Sequence, residues 1–265
     1  MAEKSAIEWT DATFNPWVGC TKVSPACDNC YAENWARRTG SPELWTGSRR
    51  RTSASNWRQP IKWHAAVPDG QRKRVFCASL ADVFDNQVPA EWRADLFDMI
   101  RATPRLDWLL LTKRIGNVKA MLPPDWGNSV YGYNNVWLGI SVINQDEADR
   151  DIPKLLSVPA RVRFLSCEPL LGPIEFPLPC RGSVFWSGLH WVIVGGESGS
   201  HARYLNPDWA QSLVDQCVRA DTPVFFKQGS RANWDDFKNF DSFPETLQIR
   251  QWPGSQHTSG ADHGK

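Results

Sequence analysis

Six short runs of aliphatic, β-branched and aromatic residues recur along this 265-residue chain: VFCAS at 75–79, WLLLT at 108–112, VWLGI at 136–140, VRFLS at 162–166, WVIVG at 191–195 and PVFFK at 223–227. Their starts lie 26 to 33 residues apart. That pitch fits one strand and one crossover helix, and near-continuous hydrophobicity is what a parallel strand covered on both faces requires. Amphipathic stretches fill the gaps at Ala90–Ala102, Gln145–Leu156 and Pro207–Ala220, the last with Asn206 as a cap ahead of Pro207. Thr13–Val18 reads as a further strand at the start and Tyr31–Arg38 as a helix. Seven strands with right-handed crossovers give the expected class, α/β, as a full or partial (β/α) TIM-like barrel, with an open doubly wound sheet as the alternative. Residues 1–252 are expected to form a single barrel domain. Within it 47–60 (GSRRRTSASNWRQP) and the Pro- and Gly-rich 170–190 read as loops, and 253–265 as a disordered tail.

The chain carries 30 Lys and Arg against 29 Asp and Glu, a formal charge of +1, so any attraction to nucleic acid has to come from a local patch. Arg49, Arg50, Arg51 and Arg58, flanked by Trp45 and Trp57, form the one interleaved basic and aromatic stretch of that kind. The 15 tryptophans read as core and seam fillers. No stretch approaches the roughly 18 apolar residues of a membrane span, and the N-terminus lacks the apolar run of a signal peptide. The expected location is the cytoplasm, the host's if the chain is phage-encoded, with no membrane partner.

Seven cysteines in a reducing compartment do not make a disulfide framework. Three of them, Cys20, Cys27 and Cys30, form C-x6-C-x2-C in the loop that follows the first strand. A closed structural zinc site takes four ligands, and the two residues that could complete it, His64 and Cys77, lack a ligand-like spacing. Three thiolates also suit an iron-sulfur cluster with one iron left open. Each hydrophobic run ends in polar residues: Ser79 and Asp82, Lys113 and Arg114, Ser141 and Asn144, Glu168, Glu197 and Ser198, Lys227 and Gln228. In a (β/α) barrel these ends converge on one mouth, where active sites of the fold lie. Gly195 and Gly196 let the backbone approach a ligand there, and the adjacent Glu197 can accept from an ammonium or a ribose hydroxyl.

A three-cysteine loop after the first strand of such a barrel resembles the radical SAM superfamily, although the usual spacing is C-x3-C-x2-C. More closely, the segments TFNPWVGCTKVSPACDNCYAE, LLLTKR, LSCEPLLGPI, VIVGGESG, ARYLNPDWAQSLVDQC and VFFKQ resemble a largely uncharacterised phage and bacterial family placed among radical SAM proteins. Ile143 and Gly229 depart from its pattern, in which a glutamate and a tryptophan are more usual. The resemblance implies a partial barrel of radical SAM type in which Cys20, Cys27 and Cys30 ligate a [4Fe-4S] cluster that binds S-adenosyl-L-methionine. It implies an electron donor of the flavodoxin kind, reductive cleavage to a 5′-deoxyadenosyl radical, and hydrogen abstraction from an enclosed substrate.

On that reading Gly195, Gly196, Glu197 and Ser198 hold the methionine amino group or the ribose, and Tyr31 packs on the cluster or adenine. Lys113, Glu168 and Lys227 serve the substrate, with Arg114 and Arg203 as further cations for an anionic group. Phage context makes DNA or a modified nucleotide the expected partner, with isomerisation of a hypermodified thymine as one concrete reaction. Two other classes stay open on the residues alone: a zinc-binding, non-enzymatic nucleic-acid module, and a barrel hydrolase with Glu168 and Glu197 as acid and base.

Overall fold

The computed structural model describes residues 3–180 and 183–254. In chain order the elements are β1 (Ala12–Phe14), β2 (Trp17–Val18), α1 (Tyr31–Arg38), β3 (Arg50–Arg51), α2 (Ala54–Trp57), α3 (Gln59–Ala66), β4 (Lys73–Cys77), α4 (Ala90–Ala102), β5 (Leu106–Thr112), α5 (Ile115–Met121), β6 (Val136–Ser141), α6 (Gln145–Leu156), β7 (Val162–Cys167), α7 (Val184–Gly188), β8 (Trp191–Gly195), α8 (Pro207–Arg219) and β9 (Val224–Gln228). Seven strands form one parallel sheet in the order β1-β4-β5-β6-β7-β8-β9. The order never reverses, so there is no switch point of the kind that defines a doubly wound sheet, and that alternative is excluded.

The sheet is curled. Side chains alternate along each strand between two buried layers. One layer faces the helices and includes Val75, Cys77, Trp108, Leu110, Leu138, Leu165, Cys167, Val192 and Phe226. The other is a smaller aromatic cluster of Trp9, Phe76, Leu109, Trp137, Phe164, Trp191, Ile193 and Phe225. Trp9 lies 4.7 Å from Phe76 on β4 and 6.2 Å from Trp191 on β8. In a flat sheet those two strands would stand about 19 Å apart, four spacings of about 4.8 Å. One indole meets both because the sheet wraps round it. The fold is a partial (β/α) barrel, α/β as expected.

The first and last strands do not pair with each other. Chain segments fill the gap: the N–H of Phe226 donates to the Ile249 carbonyl at 2.9 Å, that of Gln251 to Val224 at 3.0 Å, and the Trp252 indole to the Trp9 carbonyl at 3.3 Å. Gln251 also accepts the Trp191 indole N–H at 2.8 Å, tying this closing segment to the inner layer.

Two expectations need correction. The run Thr13–Val18 is two strands, because Pro16 has no N–H for a ladder: β1 pairs with β4, whereas β2 turns away and pairs antiparallel with β3. The stretch 47–60 is therefore no loop. It holds β3, then α2, whose cap Ser53 accepts from the Asn56 N–H, then the start of α3. Within 170–190 a short helix, α7, is present. Residues 255–265, most of the expected tail, lie outside the described residues. Among the described residues no helix is long and apolar enough to cross a membrane.

Candidate active site at the strand ends

The inward positions of the strands change character toward their C-terminal ends. On β5 they run Leu109, Leu111 and then Lys113; from β7, Phe164, Ser166 and Glu168; from β8, Ile193, Gly195 and Glu197; from β9, Phe225 and Lys227. The aromatic layer thus floors a mouth with polar walls. A cavity of about 390 Å³ opens there, within the usual range for a small-ligand site. Cys20, Cys27, Cys30 and Tyr31 line it together with Lys113, Glu168, Gly196, Glu197, Ser198 and Lys227. Of the residues expected at the mouth, Asn144, Gly195 and Arg203 are not on its wall.

The cysteine loop crosses this mouth, and its ends are tied down. The N–H groups of Gly19 and Cys20 donate to the Leu80 and Leu44 carbonyls, each at 3.0 Å. Arg114, just past β5, donates to the carbonyl and hydroxyl oxygens of Thr21 at 3.0 and 2.8 Å. Ser24 caps a short turn, Pro25–Cys27, by accepting from the Ala26 N–H. Cys30 stands at the N-terminal cap of α1. All three thiols are free. Burial, then the charge of Asp82, pushes the Cys20 thiol up to about 12 against the opposing pull of Arg114.

His64 and Cys77 stand elsewhere. The His64 ring accepts the Arg105 N–H at 3.3 Å, and Cys77 is wholly buried in the helix-facing layer. Neither completes a tetrahedral zinc site with the loop. Among the described residues no three of His, Cys, Asp and Glu close on a single metal ion.

The charged residues of the mouth are mostly paired. Lys227 and Glu168 form an ion pair at 2.9 Å, with the Ser166 hydroxyl 3.4 Å from the same carboxylate. Arg203 pairs with Glu197 at 2.6 Å. Burial would raise the Glu197 carboxyl, but hydrogen bonds from Arg203 and Asn29 outweigh it and hold it below its ordinary value. A glycosidase-type general acid needs the opposite shift, so Glu197 is unsuited to the acid role of a barrel hydrolase. Lys113 donates to the Ser141 hydroxyl at 3.2 Å. Asp82 accepts from the Thr112 hydroxyl and the Lys113 N–H, which fixes the turn after β5. Tyr31 donates its hydroxyl to the Ser79 carbonyl at 2.7 Å.

The two glycines serve the protein's own packing. A Cβ on Gly196 would lie 2.6 Å from the Ser230 nitrogen, and one on Gly195 would lie 3.1 Å from the Glu168 carboxylate. They let the end of β9 and the Glu168 side chain approach β8. Two arginines of the basic stretch are likewise engaged internally: Arg49 pairs with Asp85 at 2.6 Å, both side chains almost fully buried, and Arg51 pairs with Asp95 and lies over Trp57, whereas Arg50 and Arg58 are exposed. Asn29 and Thr21, on the cavity wall, and Asp85, buried behind it against Arg49, are residues that sequence reasoning misses. Their only sequence signal is position, within the cysteine loop or shortly after β4.

A family model described as a protein of unknown function (DUF5131) matches residues 4–258. No curated protein matches. Among solved structures, a spore photoproduct lyase mutant with bound AdoMet and dinucleoside spore photoproduct is 12% identical with a TM-score of 0.44, over 72% of this chain and 57% of that one. A spore photoproduct lyase complexed with dinucleoside spore photoproduct is 13% identical at 0.45, over the same shares. A cysteine-to-serine mutant of the lyase is 13% identical at 0.45, over 80% and 62%. This chain thus spans about three fifths of the length of those lyases. Likenesses this distant say nothing about its chemistry.

Proposed function

We propose that this chain, which belongs to the DUF5131 family of proteins of unknown function, is a radical SAM enzyme that holds a [4Fe-4S] cluster on Cys20, Cys27 and Cys30. The observation that carries the reading is one of placement. Three free thiols, with no fourth residue among the described ones completing a zinc set, line the same cavity as the polar ends of the barrel strands, above a floor of buried aromatic side chains. The donor set fits the group. Soft thiolates suit iron-sulfur clusters, and a buried, high-pKa thiol such as Cys20 gives up its proton when a metal takes its place. When bound, the cluster would supply the one electron that breaks the C5′–S bond of S-adenosyl-L-methionine, giving methionine and a 5′-deoxyadenosyl radical.

The chain's own residues bind, orient and exclude water. Trp9, Phe76 and Leu111 close the bottom of the cavity, as containment of a reactive carbon radical demands. The Glu168–Lys227 pair stands on this wall, where either partner can hydrogen-bond a substrate or carry a proton while the other balances its charge. Lys113 is the cation we assign to an anionic group of the substrate. The substrate class we favour is a nucleotide, with a modified thymine of phage-type DNA undergoing isomerisation as the specific case; a flavodoxin-like donor would deliver the electron.

Iron and sulfide analysis of anaerobically purified protein tests the core of this. The expected result is about four of each per chain with broad charge-transfer absorbance, lost on reduction. Serine at Cys20, Cys27 or Cys30 is expected to abolish that content, whereas serine at Cys180 leaves it unchanged. Zinc without iron, or iron retained by all three variants, refutes the proposal. Release of 5′-deoxyadenosine with and without modified DNA then tests the substrate class.

A further inference from the structure

Glu197 follows two glycines at a strand end, a setting that suggests a ligand contact, yet its carboxylate is already gripped by the protein's own donors. One oxygen accepts from the Arg203 backbone N–H at 2.9 Å, from Arg203 Nε at 3.0 Å and from Asn29 Nδ2 at 2.9 Å; the other accepts from Arg203 Nη2 at 2.6 Å. A carboxylate offers about four lone-pair sites, two on each oxygen, and here three donors crowd one oxygen while the other takes a single donor. The Glu197 side chain is 6% exposed. Oε2 has no lone pair to spare, and Oε1 keeps one.

The same donors reach further. Arg203 Nη2 also donates to the Pro25 carbonyl at 3.0 Å, and Nη1 contacts the Asp28 carboxylate at 3.3 Å. Asn29 donates to the His201 carbonyl at 2.8 Å. Pro25, Asp28 and Asn29 are the residues around Cys27 and between it and Cys30. On the other side the Arg203 carbonyl accepts from the Ser230 hydroxyl, just beyond β9. The network therefore joins a fully buried strand, β8, to the half of the cysteine loop that carries two of the three thiols.

We propose that Glu197 and Arg203 are positioning residues, a mostly enclosed ion pair that latches the cysteine loop to the ends of β8 and β9 and so holds Cys27 and Cys30 in place before any cofactor arrives. Arg114, through Thr21, steadies the Cys20 end from β5. The importance of the latch for a cluster rests on the function proposed above; its effect on the loop does not. A planar guanidinium suits this post because it grips both carboxylate oxygens and still has donors for the loop backbone.

The test uses the full chain without cofactor. Amide hydrogen exchange across 20–30 and the alkylation rates of Cys27 and Cys30 are measured for the wild type and for E197Q, R203A, R203K and the milder N29A. Loss of charged hydrogen bonds predicts exchange in 20–30 about tenfold to a hundredfold faster in R203A and E197Q, with a smaller rise in N29A and partial recovery in R203K. Exchange in β5 to β7 is expected to stay at the wild-type rate. After anaerobic reconstitution, iron per chain and the line shape of the reduced paramagnetic signal are expected to follow the same ranking.

Unchanged exchange in 20–30 in both R203A and E197Q overturns the latch. So does a rise spread equally over the sheet, which would make the pair a general support of the fold. If N29A, R203A and E197Q loosen the loop but even the wild type takes up no iron, the latch stands and the radical SAM reading fails.

Discussion

Gly139 on β6 points into the inner layer, where a methyl group has nowhere to go. A Cβ there would lie 2.3 to 2.5 Å from three ring atoms of Phe164. Ordinary carbon contacts start near 3.5 Å, so the ring would have to retreat by roughly 1 Å. Phe164 is itself fully buried and packs against Trp191, whose ring centre is 5.7 Å away. Trp191 in turn touches Trp9, Trp137 and Phe225, so the displacement has no free edge to dissipate at. Overpacking of this kind costs about 1–3 kcal/mol, and the lack of slack puts Gly139→Ala at the upper end. For a chain of this size about 3 kcal/mol lowers the thermal midpoint by roughly 6–12 °C. Gly116, inside α5 with nothing within 4 Å of where an added methyl would stand, is the contrast: G116A is expected to be neutral or stabilising by up to about 1 kcal/mol. Thermal unfolding followed by near-ultraviolet dichroism, dominated by the tryptophans, reads both. A G139A midpoint within about 2 °C of wild type, less than about 1 kcal/mol at this size, would refute the rigid inner layer.

Arg49→Ala removes one half of an ion pair whose side chains are 2% and 0% exposed and leaves Asp85 buried without its main partner. The expected loss is about 3–5 kcal/mol in urea unfolding, and a loss below about 1 kcal/mol would contradict the pairing. Asp11 bonds Arg74 across the β1–β4 seam at 2.8 Å. Burial raises its carboxyl, but the Arg74 hydrogen bonds outweigh that and hold it below the ordinary 3.8. A depressed folded pKa means that the stabilisation is full above the unfolded value and is lost as pH falls through the folded one. Its side chain is 37% exposed, so solvent screening leaves about 0.5–1 kcal/mol. D11N is therefore expected to lower the urea midpoint at neutral pH and to converge on wild type once pH has fallen below the depressed folded value; a gap that persists there would count against it.

The barrel was legible because burial on both faces leaves its mark on every strand: β8 coincides with WVIVG, and the helices at Tyr31, Ala90 and Gln145 start and stop where their amphipathic patterns do. Asn206 caps α8 by accepting from the Asp208 N–H, as its place before Pro207 suggests. The cysteine loop was legible for a different reason, since three thiols in eleven residues stand out from scattered core cysteines. Partnerships across the barrel left no such trace. Nothing in GGES reveals that Arg203 and Asn29 will bond the Glu197 carboxylate, or that the glycines make room for the end of β9 and the Glu168 side chain. Arg49 and Arg51 read as parts of a basic patch because Asp85 and Asp95, their counter-ions, lie more than thirty residues away. Local pattern encodes which face is buried; it does not encode which opposite charge the fold will bring to it.

That distinction singles out Lys113. Of the four cations expected near an anionic group, Arg203 is paired with Glu197, Lys227 with Glu168, and Arg114 holds Thr21 while standing 3.8 Å from Asp85. Lys113 lines the same cavity, and among the described residues its ammonium bonds the neutral Ser141 hydroxyl and no carboxylate. A partly buried ammonium without a carboxylate partner favours an incoming anion, because the anion supplies the compensation the fold has withheld. K113M is expected to leave the thermal midpoint nearly unchanged, since no ion pair is broken. It is expected to weaken binding of thymidine 5′-phosphate by about tenfold to a hundredfold, the worth of one charged hydrogen bond, while binding of thymidine hardly moves. K227M should differ in kind: it strands Glu168 in the wall and lowers stability along with affinity. Isothermal titration with the two probes decides the matter. If K113M leaves the preference for the phosphate over the nucleoside where it was, the anionic group sits elsewhere in the cavity and Lys113 has no part in holding it.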